Sequence, residues 1–251
     1  MAKRTALLDG DMLAFRIAAG GEVPIKWDEW LWTLHTDEVA CQRYLDDQIE
    51  FILKETGCSE ARFAVSGSHN FRRTIYPEYK ANRAGTRKPM ALKALLDYGI
   101  EKYNGFRKDE LEADDVLGIW QTRSKPGTTV IVSGDKDMRT VPGLHYNPLK
   151  PKEGVVKVSQ EEADLIWMRQ VLTGDTVDNI PGCPTFGPKT AAKVLPEPDH
   201  LVDLWEVVVD CFIKKGLAPA DALLNARLTR ILQSSDFDFD VGEVILWEPP
   251  Q

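Results

Sequence analysis

The sequence predicts an α/β protein with a mostly parallel sheet flanked by helices, and three observations carry that expectation. Short apolar runs of buried-strand length recur at residues 5–8, 61–65 and 128–132. Segments with helical apolar spacing lie between them, as the alternation of strand and crossover helix requires. Asp9 and Asp135 follow directly on two of the runs, at the carboxyl edge of the sheet where ligands of such folds bind.

Taken in order, residues 5–8 form a strand ending at Asp9, and a helix follows through Ala19 to stop at Gly20-Gly21. Residues 37–56 place Val39, Tyr44, Leu45, Ile49, Ile52 and Leu53 at amphipathic-helix spacing and end before Gly57. Residues 61–65 make the next strand. The stretch 68–90 carries Pro77, Gly85 and Pro89 with little periodicity, so it reads as a long, irregular or partly helical excursion of the kind that is commonly functional. A helix over 112–123 turns Val116, Leu117, Ile119 and Trp120 inward, and the β-branched run 128–132 leads into Ser133-Gly134-Asp135. A helix over 159–173 precedes the segment GDTVDNIPGCPTFGPKTAAKVL; residues 199–235 are helical, and 243–247 form a last strand. Two regions are expected, a catalytic core over 1–158 and a second region over 159–251 packed on it.

Composition bounds the function. With 251 residues, 43% hydrophobic and 28% charged, the chain can bury a substantial core. No apolar run approaches the roughly 20 residues that span a bilayer, and MAKRTALLDGD turns polar too early for a secretory leader, so no membrane role and a cytosolic location are expected. Cys41, Cys58, Cys183 and Cys211 form no CxxC pair and read as free buried thiols rather than a zinc site or disulfide frame. A net charge of −8 argues against nucleic acid, yet residues 72–93 hold seven cationic side chains against Glu78 alone, a local charge of +6.

The acidic residues are the strongest chemical signal. Nine carboxylates fall in four clusters, Asp9/Asp11, Glu112/Asp114/Asp115, Asp135/Asp137 and Asp175/Asp178. The Glu112/Asp114/Asp115 and Asp135/Asp137 clusters alone also fit capped helix starts, where acidic residues complement the dipole, but Asp175-x-x-Asp178 has no such plain reading. Together they would concentrate negative charge at a cost in stability unless cations lie between them, and hard oxygen donors select Mg²⁺. Two such ions would activate water near neutral pH and stabilise a departing 3′ oxygen, so a phosphodiester is the expected substrate and no side-chain base is needed. Helical spacing puts Glu112 and Asp115 on one face and turns Asp114 away. Asp11 is expected to cap the helix after the first strand.

Tyr76, Tyr79, Lys80 and Arg83 place aromatic rings among cations, a combination that grips phosphate and stacks on unpaired bases; a solvated loop with buried tyrosines is the plainer reading. Gly182 and Gly187 bracket a turn before Pro188-Lys189-Thr190, where backbone N–H groups and Lys189 could receive a phosphate.

In order and spacing, LLDGDMLAF, NFRRTIYPEYKANR, LEADDVLG, VSGDKDM, GDTVDNIPG with FGPKTAAKVL, and the terminal ILWEP resemble the 5′-nuclease family of flap endonucleases and 5′→3′ exonucleases, in particular its stand-alone T7-like phage branch. The resemblance implies a PIN-like core, a helical arch at 68–90 and a helix-three-turn-helix that holds duplex DNA, with K⁺ bound there. It implies Mg²⁺-dependent 5′→3′ exonuclease and flap endonuclease activity in phage DNA replication or degradation, with two or more Mg²⁺ that Mn²⁺ can replace. Duplex DNA with 5′ ends, nicks or flaps is the implied partner, with RNA–DNA hybrids as a further substrate. Carried over by position, Asp9, Glu112, Asp114, Asp115, Asp135, Asp137, Asp175 and Asp178 are the metal-site carboxylates. Asp135 with Lys80 and Arg83 form the catalytic set, the two cations meeting the scissile phosphate. Arg16, Arg72, Arg73, Tyr76, Tyr79, Lys80, Arg83, Gly182, Gly187, Lys189 and Thr190 are the DNA contacts.

One departure stands out. Many relatives carry an Asp at the end of the second strand, near Ser66-Gly67, where AVSGSHNF offers none; water is expected in its place. That gap motivates an alternative, a non-catalytic structure-specific DNA binder, although retained carboxylates would repel DNA in such a protein. A haloacid-dehalogenase-like phosphatase is a weaker rival: Asp9-Gly-Asp11 and Asp175-x-x-Asp178 imitate its motifs, but Leu13 stands where Thr or Val is wanted, and a helix rather than a strand precedes Asp175.

Overall fold

A computed structural model describes residues 3–83 and 85–250. Its centre is a six-stranded sheet in the order β5-β4-β1-β6-β7-β8. These strands are β1 (Thr5–Asp9), β4 (Glu60–Asn70), β5 (Phe106–Glu110), β6 (Thr129–Val132), β7 (Gly143–Tyr146) and β8 (Val155–Val158). Every neighbouring pair is parallel except β7 with β8. The chain leaves β1 toward β4 and β5, then returns to place β6 on the other side of β1. That reversal opens a crevice at the carboxyl ends of β1 and β6.

Both faces of the sheet are covered, which is why its central strands read as unbroken apolar runs. Ala6 and Leu8, Phe63 and Val65, and Val130 and Val132 point to one side, where they meet α1 (Gly10–Gly20), α2 (Glu38–Thr56) and α4 (Leu92–Lys102). Leu7, Ala64 and Ile131 point to the other, against α5 (Ala113–Arg123) and against Ile231 and Leu232 from near the C-terminus. The long amphipathic helix is confirmed, but its buried stripe is Cys41, Leu45, Ile49 and Ile52, whereas Val39 and Tyr44 lie exposed. It stops at Gly57, whose left-handed backbone (φ 65°) lets its N–H reach back to the last turn.

A second packing centre belongs to the C-terminal part, where α6 (Gln160–Thr173), α7 (Pro188–Val194), α8 (Leu201–Lys214) and α9 (Pro219–Thr229) surround Trp167, Met168, Val208 and Phe212. Helix α6 opens on a reciprocal cap: the Glu162 N–H donates to Ser159 Oγ at 3.1 Å, and the Ser159 N–H donates to Glu162 Oε2 at 2.8 Å. The expected last strand is shorter than 243–247. Only β10 (Glu243–Val244) pairs with β9 (Phe237–Asp238), because Trp247 leaves the ladder to sit edge-on against Trp167 and Trp205, with ring centroids at 4.9 and 5.1 Å. Helical structure in 199–235 likewise ends at Thr229, the rest being extended chain and one 3₁₀ turn.

Residues 21–36 form a hairpin of β2 (Glu22–Lys26) and β3 (Trp32–Thr36), with Trp27, Trp30 and Trp32 exposed. The excursion 68–90 holds one short helix, α3 (Phe71–Ile75), and a 3₁₀ turn at Ala81–Arg83 among the described residues. All four cysteines are free and buried, as their spacing implies. Among the described residues no helix is long and apolar enough to cross a membrane.

His145 on β7 is buried and donates Nε2–H to Val141 O at 2.8 Å. Desolvation, with Arg139 nearby, pushes its pKa down to about 4. The unfolded imidazole takes up a proton near pH 6.5 while the folded one does not, so this site destabilises the fold as pH falls from 6.5 toward 4, by roughly 3 kcal/mol in all. In urea unfolding between pH 7 and pH 4, His145→Gln should therefore gain about that much relative to the parent; parallel curves would contradict it.

Candidate metal-dependent nuclease site

The crevice is a cleft of about 1220 Å³ whose wall includes Asp9, Asp11, Glu112, Asp114, Asp135, Asp137, Asp175 and Asp178. Four stretches of backbone deliver these groups. Asp9 ends β1 and caps α1, its Oδ1 accepting from the Met12 N–H at 3.0 Å and its Oδ2 from Ser133 Oγ–H at 2.7 Å. Asp135 follows β6 and accepts from the Asp137 N–H at 2.8 Å, which starts the 3₁₀ turn that presents Asp137. Asp175 closes a tight loop after α6: its backbone pairs with Ile180 in both directions, at 2.9 and 2.7 Å, and its Oδ1 accepts from Val177 N–H at 2.7 Å. Asp178 lies within that loop.

Glu112 and Asp114 come from the entry to α5, and here the expected facing is reversed. Glu112 is the extended residue before the helix, so helical spacing does not govern it. Glu112 and Asp114 face the cleft, while Asp115 turns back to accept the Glu112 N–H at 3.1 Å and is fully buried. Asp115 is therefore withdrawn from the metal set. It forms a two-pronged ion pair with Arg72, at 2.8 and 2.7 Å, and also accepts Leu232 N–H at 3.2 Å. Arg72 in turn donates to the carbonyls of Leu228 and Arg230, at 2.9 and 2.6 Å. It is buried and cannot be a DNA contact.

Asp11 also departs from expectation, since the cap of α1 is Asp9. Asp11 instead lines the cleft and accepts from the Ser66 N–H at 3.2 Å. A carboxylate thus does stand beside Ser66 of β4, contributed by the neighbouring helix. Ser66 and Ser133, which hold Asp11 and Asp9, had no signal in the sequence beyond their adjacency to strand ends.

Lys80 and Arg83 lie in the cleft wall, together with Lys136, Arg139 and Arg169, which the sequence did not single out. Lys80 Nζ lies 2.5 Å from Glu112 and 3.5 Å from Asp178, and Arg83 lies 2.6 Å from Asp178. Lys80 is aimed there by an unusual backbone, with φ of 55° and its N–H donating to Asp178 O at 2.9 Å. Asn82 reaches the carbonyls of Thr176 and Val177, and Asn179 that of Glu78, so this part of the excursion rests on the Asp175 loop. Tyr79 is buried beside Ile180 and Leu228 and donates its hydroxyl to Glu112 at 2.9 Å, so it positions a carboxylate rather than stacking on a base. Gly182 is likewise structural: its φ is +67°, a Cβ there would strike Gly174 and Thr173, and its N–H donates to Asn225. Arg16 lines a separate hollow beside the β2–β3 hairpin. Arg73, Lys189 and Thr190 are exposed, Tyr76 is half-buried, and Gly187 lines the cleft.

The local charge of residues 72–93 is largely used within the protein. Arg72 serves Asp115, Arg87 grips Glu22, and Lys93 pairs with Asp97. The cleft oxygens are left with little compensation. Burial, then Asp11 and Asp135, push Asp9 up to about 6; burial and Asp135 push Asp137 up to about 6. Asp114 is raised well above the carboxylate range by burial and by Asp9, Glu112 and Asp135. Glu112, despite burial, is held low by Lys80 and Arg72. Among the described residues no three of these groups yet converge on one point as an ion would require. Their all-oxygen character, burial and mutual repulsion nevertheless fit hard divalent cations, which would relieve that repulsion.

A mostly parallel sheet with an acidic cleft at its carboxyl edge defines the class as an α/β protein built to hold hard cations at a ligand site. The sequence match is specific: the family model for the 5′-3′ exonuclease N-terminal, resolvase-like domain covers residues 4–164, and the chain belongs to that family of nucleases. The exonuclease of Escherichia phage T7 is 27% identical across 98% of this chain and 94% of its own, and the exodeoxyribonuclease of Enterobacteria phage T3 is 27% identical across 98% and 93%. In three dimensions the fold matches the bacteriophage T5 flap endonuclease, solved as a pseudo-enzyme-product complex with DNA and metal ions, with a TM-score of 0.66 at 16% identity over 90% of this chain and 89% of that one.

Replacing Arg72 by Met would leave Asp115 charged, fully buried and unpaired. Arg72→Met is expected to cost about 3–5 kcal/mol in urea unfolding, whereas Lys93→Ala, which breaks an exposed pair, should leave the midpoint unchanged. Equal effects would deny the buried pair its structural role.

Proposed function

We propose that this chain is a Mg²⁺-dependent 5′→3′ exonuclease of duplex DNA that also cleaves at nicks and flaps and degrades RNA in hybrids. The observation that carries the reading is the cleft itself, in which oxygens from four chain segments face Lys80 and Arg83 across a space open to solvent. Asp9, Glu112, Asp114, Asp135, Asp137, Asp175 and Asp178 would hold the ions, with Mn²⁺ able to replace Mg²⁺. When bound, the ions would supply Lewis acidity that activates water and offsets charge on the leaving oxygen. The chain's own part is to bind and orient. Lys80 and Arg83 would meet the scissile phosphate, and their present partners Glu112 and Asp178 would be among the residues that hold the ions. The region 159–251 is proposed as the duplex-docking part, with Lys189 and Thr190 exposed beside Gly187 and Arg73 and Tyr76 on the facing excursion.

A nicked duplex labelled at the 5′ or the 3′ side of the nick tests the reading. With Mg²⁺, the 5′ label should leave at once as short products while the 3′-labelled strand shortens gradually; without Mg²⁺ neither should change. Loss of the 3′ label first, or cleavage indifferent to metal, would overturn it. Asp135→Asn keeps an oxygen to accept the Asp137 N–H, so it should fold and bind DNA while losing cleavage by about a hundredfold or more. Lys80→Ala should lower the single-turnover rate far more than it weakens binding; the opposite split would make Lys80 a docking residue.

A further inference from the structure

Asp11 stands in the first turn of α1, and its carboxylate reaches across to β4, with its oxygens 3.2 and 3.4 Å from the Ser66 N–H. The Ser66 hydroxyl also lies against Asp11 while its Oγ accepts the Ala113 N–H at 2.9 Å, and so ties Asp11 to the residue between Glu112 and Asp114. Just past the Ala64 that pairs with Asp9, β4 reads Ser66-Gly67-Ser68 and supplies no acidic side chain. The other charged groups on this side have protein partners: Glu112 has Lys80, and Asp178 has Lys80 and Arg83. Among the described residues Asp11 has no ion pair of its own, although it lies in the cleft wall.

We propose that Asp11 is a ligand, directly or through water, of a divalent cation on the β4 side of the cleft, an assignment that rests on the metal-dependent reading above. A merely structural Asp11 would do no more than hold Ser66. The two roles separate in Asp11→Asn, because Asn keeps an oxygen for the Ser66 N–H and loses only the charge. Mn²⁺ titrations of the whole chain, with free ion followed by electron paramagnetic resonance, read binding without reference to turnover. They are run where circular dichroism shows both proteins folded. The expected result is that the parent binds Mn²⁺ and Asp11→Asn weakens one site by about tenfold or more. If Asp11→Asn binds Mn²⁺ like the parent, the assignment to Asp11 is overturned and the nuclease reading stands. If the parent binds no Mn²⁺, both fall together.

Discussion

The buried pair of Arg72 and Asp115 is the constraint on which the cleft depends. Asp115 fixes the first turn of α5 from within, and so leaves Glu112 and Asp114 pointing outward to the cleft. Arg72 begins the excursion toward Lys80 and also takes the carbonyls of Leu228 and Arg230, where α9 ends. One guanidinium therefore joins the sheet region, the excursion and the C-terminal helices. Such a pair is costly to desolvate, and its value lies in the geometry it fixes.

What it fixes is an electrostatically uncomfortable arrangement. Asp9 is buried, Asp114 and Asp137 are half-buried, all three lie near Asp135, and each is pushed toward its neutral form. Protons would compete with cations at Asp9 and Asp137 below about pH 6. Lys80 and Arg83 answer only the Glu112 and Asp178 side, which leaves the Asp9 side to depend on hydroxyl and backbone donors. Strained placement of Lys80, with its left-handed backbone seated on the Asp178 carbonyl, belongs to the same pattern of local cost at a working site.

Membership of the 5′-3′ exonuclease family rests on residues 4–164, whereas the likeness to the phage T7 and T3 enzymes runs along nearly the whole chain. The C-terminal centre holds Trp247 between Trp167 and Trp205. It supplies the far wall of the cleft through Asp175 and Asp178, and Leu228 and Ile180 close around Tyr79 at the join.

By itself the sequence determined the three central strands, the helices α1, α2, α5 and α6 and the acidic clusters, because buried strands must be apolar and amphipathic spacing marks a helix; α4 was not legible in it. It left β5, β7 and β8 unseen, since Phe106–Glu110 is polar at a sheet edge and the others are only four residues long. Only the tertiary structure decided which carboxylates share the cleft. Asp115 and Asp11 look equivalent to their neighbours along the chain, yet Arg72 claims the first and Ser66 leads the second to the cleft wall. Burial and partners across long sequence separations set a charged group's role, and spacing along the chain does not encode them.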